Sequence, residues 1–290
     1  MAKLTKPELK AHNQALDILT KPVLTEDDKE FVYRNWHEGA THINSAAGAF
    51  FTPFDMAFDF AIDAGGGRVI DLCAGIGMLS YAIWQRSRYY DRRPRITCIE
   101  RNPDYLAVGK KLLPEAEWIC ADVFEVLDMG LHTGPEGRFD SAISNPPFGK
   151  IKRERNSPRY TGAEFEFHVI DIAAHLSDYG CFIVPQMSAG FNYSGRPCYE
   201  RQKDGKAVKF QEVTGLHFDS GCGIDTAFYK DAWKGVSPIC EIVCVDFAEA
   251  RQQPAEPAPS APEVVAPATT VAVAANDNSP AQADLFGAAA

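Results

Sequence analysis

Three carboxylates stand in positions suited to holding a ligand. Asp71 lies just before the glycine-rich turn 73–77, while Glu100 and Asp122 each follow a later apolar run. Glycines between a strand and a helix let a ligand approach the backbone closely. A carboxylate at the end of the next strand can accept hydrogen bonds from both hydroxyls of a ribose. A carboxylate after the third strand can accept from an adenine amino group, so the three acids together predict a nucleoside site.

The residues of the turn argue against a ligand that carries phosphates. Ser80 occupies the position of the third glycine in the dinucleotide-binding turn, and the Asp71 carboxylate would repel a pyrophosphate. A nucleoside with a cationic sulfonium tail avoids both difficulties, because a cation tolerates acidic neighbours. We therefore predict S-adenosylmethionine as the cofactor.

These side chains need a fold that brings the ends of several strands together. Between residues 46 and 250, short apolar runs alternate with longer amphipathic segments. This pattern is typical of an α/β, Rossmann-like fold with a mostly parallel sheet and helices on both faces. The predicted strands are 68–72, 96–100, 117–120, 140–144, 180–184 and 240–245, and the predicted helices begin near Gly77, Pro103, Phe124 and Gly162.

Composition argues against a membrane-spanning, secreted or zinc-binding protein. The chain of 290 residues is 46% hydrophobic and has no apolar stretch long enough to span a membrane. Its polar start, MAKLTKPELK, does not resemble a secretory signal. Eight cysteines without a CxxC pair favour buried, reduced thiols over a zinc site, so we expect a cytoplasmic protein. The net charge of −10 argues against a general positive field for nucleic acid but allows local basic patches.

A rigid corner, Asn145-Pro146-Pro147-Phe148, follows the fourth predicted strand. Consecutive prolines cannot continue a strand or begin an ordinary helical turn. This corner resembles the class I S-adenosylmethionine-dependent methyltransferases when it is taken with the preceding motifs GAFFTP (48–53), DLCAGIG (71–77), CIERN (98–102) and ADVF (121–124). The resemblance covers about residues 45–250. It is strongest to the adenine amino-methyltransferases in the gamma arrangement, where the FTP motif comes first and NPPF follows the cofactor motifs.

The resemblance implies a role for each matched residue. The side-chain oxygen of Asn145 and the carbonyl of Pro146 accept the two N–H bonds of the target amino group, which frees the nitrogen lone pair. Pro147 has no competing N–H, and Phe148 stacks on a flipped or unpaired base. The cofactor is expected to contact Phe51, Thr52, Pro53, Asp71, Cys73, Gly75, Gly77, Glu100, Arg101, Asp122 and Val123.

Basic residues after the corner indicate a nucleic-acid substrate. Phosphate contacts are expected from Lys150, Lys152, Arg153, Arg155 and Arg159. Larger DNA-specific members of the family carry a recognition domain after the catalytic domain, whereas an Ala/Pro-rich segment follows residue 250 here. Recognition is therefore expected from the N-terminal helices or from the insertion 186–215. The target sequence is expected to be short or degenerate.

The sequence divides into three predicted parts. Residues 1–45 form a polar helical extension that contains a capping box of Thr25 and Asp28. Residues 46–250 form the catalytic domain. Residues 251–290 are expected to be disordered, because an Ala/Pro-rich composition cannot bury a core.

The tail contains a short motif, QADLF, that resembles the peptide by which bacterial proteins dock on the DNA polymerase sliding clamp. Gln282 would make hydrogen bonds, while Leu285 and Phe286 would fill an apolar pocket. The motif favours DNA over RNA as the substrate of an N6-adenine methyltransferase. An rRNA adenine or guanine amino-methyltransferase is the alternative enzyme, and a non-catalytic, clamp-tethered cofactor-binding module is the alternative of another class. A protein glutamine methyltransferase fits less well, since those enzymes resemble NPPY.

Overall fold

A six-stranded sheet is the centre of the computed structural model, which describes residues 4–37, 50–89, 92–234 and 237–252. Its strands are β1 (Arg68–Leu72), β2 (Arg95–Glu100), β3 (Glu117–Cys120), β4 (Phe139–Ser144), β5 (Ser177–Pro185) and β8 (Cys240–Asp246). The order across the sheet is β3-β2-β1-β4-β5-β8, and only β8 runs antiparallel to its neighbour. The predicted mostly parallel α/β sheet is confirmed, and every predicted strand overlaps an observed one. A separate ribbon pairs β6 (Phe191–Asn192) with β7 (Glu200–Arg201).

Helices connect the strands and extend the N-terminus. They are α1 (Lys6–Leu19), α2 (Glu26–Asn35), α3 (Phe54–Asp63), α4 (Met78–Arg86), α5 (Pro103–Leu112), α6 (Phe165–Leu176), α7 (Lys206–Thr214) and α8 (Phe247–Gln252). The sequence predicts the start of α5 correctly because Asn102 is a good N-cap residue. Its side chain accepts a hydrogen bond from the Asp104 N–H at 2.9 Å. Pro103 takes the first helical position, where its missing N–H costs nothing.

The two faces of the sheet carry separate apolar layers. Val69 and Ile143 pack with residues of α3, α4 and α5, whereas their strand neighbours Ile70 and Ala142 pack with residues of α6. Successive side chains of a strand point to opposite faces, so a strand buried on both faces reads as an unbroken apolar run. This confirms the prediction of helices on both faces.

The strand order places a cleft between β1 and β4. From β1 the chain continues to β2 and β3 on one side of the sheet, and from β4 it continues to β5 and β8 on the other side. In sheets of this kind, ligands bind where the two directions diverge, outside the carboxyl ends of the strands. The turn after Leu72, the acid Glu100 and the corner after Ser144 all lie at that edge.

The two N-terminal helices pack on this fold. The predicted capping box at α2 is present: the N–H of Asp28 donates to Thr25 Oγ1 at 3.2 Å, and the Thr25 N–H donates to the Asp28 carboxylate at 3.1 Å. Val32 is fully buried in the same apolar layer as α3 and α4. Arg34 donates two hydrogen bonds to Asp55 of α3, at 2.7 and 2.9 Å, which fixes α2 against the catalytic fold.

One predicted helix is wrong. The helix expected to begin near Phe124 is a single 3₁₀ turn, Val123–Glu125. Asp122 and Glu125 cap this turn reciprocally, but the chain then passes through further turns to Gly130, whose φ of +68° ends any helical continuation. The helix expected near Gly162 begins at Phe165 instead.

Within the described ranges, no helix is long and apolar enough to cross a membrane. The tail predicted to be disordered from residue 251 begins too early, because Arg251 and Gln252 end α8 and Arg251 donates to the Ala174 and Ser177 carbonyls. The rest of the predicted tail, with the QADLF motif, lies outside the described residues. The division of the chain at residues 45 and 250 and the cytoplasmic location stay predictions.

Candidate active site

A cavity of about 600 Å³ opens at the carboxyl edge of β1, β2 and β4. It brings together most of the residues singled out from the sequence. The predicted residues that line it are Phe51, Thr52, Asp71, Cys73, Gly75, Glu100, Arg101, Asp122, Val123, Asn145, Pro147 and Lys152. Pro53, Gly77, Pro146 and Phe148 do not line it. Pro53 instead precedes α3 as its N-cap residue.

The glycine-rich turn shapes the floor of the cavity. Cys73 has a φ of +64°, the one non-glycine residue of the described chain in the left-handed region, so the turn holds backbone strain beside the cavity. Gly75 has a φ of +59°, and a Cβ there would lie 2.9 Å from the Phe51 ring. Gly77 serves helix packing instead, because a Cβ there would lie 2.8 Å from the Trp118 indole.

Asp71 is a buried carboxyl with one unpartnered oxygen. Its Oδ2 accepts a hydrogen bond from Ser80 at 2.7 Å, while its buried Oδ1 has no partner among the described residues. Burial raises the pKa of Asp71 to about 7; the Ser80 hydrogen bond opposes this, and the nearby Glu100 charge adds to it. Ser80 therefore has a partner of its own, which explains why a serine replaces the third glycine. The unpartnered oxygen suits a cationic or hydrogen-bond-donating ligand.

Glu100 is held in place by the backbone. One carboxylate oxygen accepts from the Gly75 N–H and the other from the Asn102 N–H, each at 2.7 Å. Burial raises the pKa of Glu100, and these backbone N–H groups oppose the rise. Each oxygen keeps a lone pair, so the carboxylate can accept from a ligand diol without losing its anchors.

Asp122 has a structural role as well as a place in the cavity wall. Its side chain accepts from the Phe124 N–H at 3.0 Å, and it forms an ion pair with Arg101 at 3.3 Å. The Arg101 side chain is 78% exposed, so this pair lies at the mouth of the cavity and contributes little stability.

An aromatic cluster backs the cavity. Phe51 stacks on Trp36 with ring centroids 5.7 Å apart, and both rings meet the edge of Tyr105. Trp36 follows α2, and its last carbonyls are held by Lys234, which donates to Trp36 O at 2.5 Å and to Tyr33 O at 3.1 Å. The sequence prediction missed Trp36 and Tyr105. The N-terminal extension therefore supports the cavity wall from behind, through Trp36.

The amide of Asn145 is fixed by two acceptors. Its Nδ2 donates to the Phe50 carbonyl at 2.8 Å and to Thr52 Oγ1 at 2.9 Å. A carbonyl can only accept, so the atom facing it must be the NH₂ group. Oδ1 is left as the outward acceptor, and no described residue donates to it. The same contacts join the FTP motif to the corner after β4.

The far end of the corner is clamped by α6. The Gly149 N–H donates to Glu166 at 2.8 Å, and the Phe165 N–H donates back to the Gly149 carbonyl at 2.8 Å. The other oxygen of Glu166 accepts from Ser188 Oγ at 2.8 Å, so one buried carboxylate joins the chain after β4 to the chain after β5. Glu166 was not predicted from the sequence. Phe148 is half-buried against the apolar layer below.

The predicted basic residues fall into two groups. The three arginines are bound to protein groups: Arg153 to Asn156 at 2.9 Å, Arg155 to Asp128 at 2.8 Å and Arg159 to the buried Asp171 at 2.7 Å. They anchor the loop. Lys150 and Lys152 are exposed and form no ion pair with a described residue, and Lys152 stands at the cavity.

No family model and no curated protein matches this sequence. A protein from Listeria monocytogenes, assigned as a class I S-adenosylmethionine-dependent methyltransferase, superposes with a TM-score of 0.53 at 12% identity, covering 81% of this chain and 79% of that one. The chain has the fold of a class I S-adenosylmethionine-dependent methyltransferase. The resemblance inferred from the motifs is thereby confirmed for the fold.

A second solved structure is similar over a shorter part of its own chain. It is assigned as a modification subunit of a type I restriction enzyme from Vibrio vulnificus, with a TM-score of 0.52 and 14% identity over 77% of this chain. The present chain spans half the length of that protein.

The raised pKa of Asp71 predicts a dependence of stability on pH. The unfolded carboxyl titrates near 3.8 and the folded one near 7, so the folded state binds the extra proton between these values. Stability conferred by this group falls as the pH rises through that window. In Asp71→Asn the loss is absent, and at pH 8 the variant should be more stable than the wild type by up to about 4 kcal/mol.

Thermal unfolding of the ligand-free proteins at pH 5 and pH 8 measures the effect. The gain from the substitution should be larger at pH 8. Asp204→Asn, at an exposed position, is the matched control and should show no such difference. Equal gains at both pH values would contradict the buried, unpaired carboxyl.

Proposed function

We propose that this chain is an S-adenosylmethionine-dependent methyltransferase that modifies the N6 amino group of adenine in DNA, at a short or relaxed target sequence. One observation carries the proposal. Both amide hydrogens of Asn145 are held, so its Oδ1 stands as a fixed acceptor in the wall of the cavity that also contains Glu100 and Asp71. An acceptor of this kind suits an amino group that must present its lone pair.

The residues present fit the cofactor. Asp71 offers an unpartnered buried oxygen to a cationic tail, and Glu100 offers two anchored oxygens to ribose hydroxyls. Asp122 and Phe51 line the same cavity, and we assign Asp122 to accept a hydrogen bond from the adenine amino group. S-adenosylmethionine, when bound, supplies an electrophilic methyl group.

The chain's own contribution to the reaction is orientation. Asn145 Oδ1 and the Pro146 carbonyl accept the two N–H bonds of the target amine, which withdraws its lone pair from conjugation with the ring. No described residue donates a hydrogen bond to either oxygen, and Asn145 lies in the cavity wall. An asparagine is not a base, and the excess proton passes to water after transfer. Lys152, exposed at the cavity, contacts the phosphate beside the target nucleotide.

The choice of DNA rests on the QADLF motif of the tail, while a flipped or unpaired base of either nucleic acid suits the cavity. The deciding experiment incubates the protein with labelled cofactor and duplex DNA, single-stranded DNA or RNA, followed by digestion to nucleosides. If labelled N6-methyladenosine is recovered from RNA alone, the substrate is RNA and the proposal of DNA is wrong. Cofactor binding without transfer to any of the three would favour a non-catalytic module.

Asn145→Ala removes one of the two acceptors. Turnover should fall by about 100-fold or more, because a preorganised acceptor at the reacting group is lost. Cofactor affinity, measured by calorimetry, should change by only a few fold, since Asn145 binds the substrate. The control is Asn13→Ala, which removes an amide at an exposed position of α1 and should leave turnover unchanged. Full turnover in Asn145→Ala would exclude the assigned role.

Glu100→Ala tests the ribose contact. The variant should bind S-adenosylmethionine more weakly by about 1.5–3 kcal/mol, through loss of charge-assisted hydrogen bonds. Glu100→Gln keeps one acceptor for the Gly75 N–H and should lose less, which separates loss of the ligand bond from collapse of the turn. Glu115→Ala, exposed after α5, should bind as the wild type does. Wild-type affinity in Glu100→Ala, by calorimetry, would reject this placement of the ribose.

The tail proposal is tested separately. A peptide spanning residues 278–290 should bind a purified bacterial sliding clamp, and replacing Leu285 and Phe286 by alanine should abolish binding, because the apolar pair fills the pocket. Absence of binding at about 100 µM peptide would remove the clamp as a partner and the main reason for preferring DNA.

A further inference from the structure

The chain that leaves β5 lies beside the active corner. β5 ends at Pro185, at the same edge of the sheet as the end of β4. Ser188 shares the Glu166 carboxylate with Gly149, so the turn after β5 and the corner after β4 are two hydrogen bonds apart. An element built on this turn therefore begins near the corner after β4.

A ribbon is built on this turn, and its base is rigid. Glu241, the β8 residue opposite Val184, is buried and accepts from Gln186 Nε2 at 2.6 Å, the Tyr193 N–H at 2.8 Å and Ser194 Oγ at 2.7 Å. These bonds leave a buried carboxylate well satisfied. They fix the start of the segment 191–203, called here the recognition hairpin, which includes β6 and β7.

The outer part of the recognition hairpin is exposed and basic. The side chains of Arg196, Arg201 and Lys203 are exposed and bind no described residue. Residues 191–209 contain five basic and two acidic side chains in a chain of net charge −10. The arginines of the loop after the corner all have protein partners, so the exposed, unpaired arginines near the corner belong to this hairpin, and Lys150 and Lys152 are the unpaired cations of the loop itself.

An aromatic ring completes the surface. Tyr199 is 44% exposed and stacks on the buried Phe191, with centroids 5.3 Å apart and an angle of 27° between the rings. The inner face of the ring is held, so the outer part is presented at a fixed orientation. A fixed aromatic face among cations suits a nucleobase and its phosphates.

The other element considered for recognition is occupied. The helices α1 and α2 are held against the fold, and Trp36 forms part of the aromatic cluster behind Phe51. Arg34 is bound to Asp55 and Lys234 to the end of α2. The recognition hairpin therefore adds exposed cations to those of Lys150 and Lys152 near the corner.

We propose that the recognition hairpin binds the phosphate backbone of the nucleic-acid substrate through Arg196, Arg201 and Lys203, with Tyr199 stacking on a base next to the target. This inference rests on the proposed function and adds the surface that holds the substrate. The partner is a nucleic-acid strand, because phosphates spaced along a backbone match several cations on one ribbon.

The test is a triple variant, Arg196→Gln, Arg201→Gln and Lys203→Gln. Affinity for a fluorescein-labelled DNA duplex, measured by anisotropy between about 50 and 200 mM salt, should fall by about 10-fold or more. The slope of log K against log salt should become shallower by about 2 to 3, as expected for three lost phosphate contacts. S-adenosylmethionine affinity, measured by calorimetry, should not change.

A variant with the same change in net charge is the control. It carries Lys6→Gln, Lys10→Gln and Lys110→Gln, at exposed positions of α1 and α5. This control should leave the slope of log K against log salt unchanged. Tyr199→Ala should lower turnover more than duplex affinity. A hairpin variant that binds DNA as the control does, while the wild type methylates nucleic acid, would overturn the hairpin assignment alone. A wild type that transfers no methyl group to DNA or RNA would overturn the proposed function itself.

Discussion

The site depends on two hydrogen bonds donated by one amide. Asn145 Nδ2 reaches the Phe50 carbonyl and Thr52 Oγ1, which precede it by 95 and 93 residues. Rotating the amide by half a turn would place its oxygen against another acceptor, so a single orientation is stable. The contacts therefore close the cavity wall and aim the acceptor at the same time. An acceptor fixed in advance needs no reorganisation when the substrate arrives.

The buried carboxylates show where the fold leaves capacity for a ligand. Glu241 and Glu166 accept hydrogen bonds on both oxygens, and both serve to hold backbone turns. Asp71 keeps one oxygen without a partner, in the cavity, with a pKa raised to about 7. Burying an unsatisfied carboxyl is costly, and such groups cluster where a ligand completes them. The unpartnered oxygen therefore marks Asp71 as a buried acid that can still accept a hydrogen bond from a ligand.

The strands and the gathering of Asp71, Glu100 and Asp122 in one cavity are predicted well from the sequence, because both follow local rules. Unbroken apolar runs mark strands buried on both faces, and the carboxyl ends of parallel strands meet at one edge, which gathers Asp71 and Glu100. Trp36 and Glu166 escaped prediction because their partners are distant in sequence. Arg159 appears as a free cation in the sequence, yet folding brings it to the buried Asp171, twelve residues later on the first turns of α6. Charge pairing of this kind requires the fold.

The point between β1 and β4 divides the carboxyl edge of the sheet into a β1–β3 half and a β4–β5–β8 half, and the two halves are built differently. On the β1–β3 half, the glycine-rich turn, Glu100, Phe51 and Tyr105 line the cavity, and Trp36 packs behind these two rings. On the β4–β5–β8 half, the corner is clamped by Glu166 and remains open to Lys152 and the recognition hairpin. Under the proposed function, the nucleic-acid strand approaches from this half, and Asn145 stands at the boundary between the two halves.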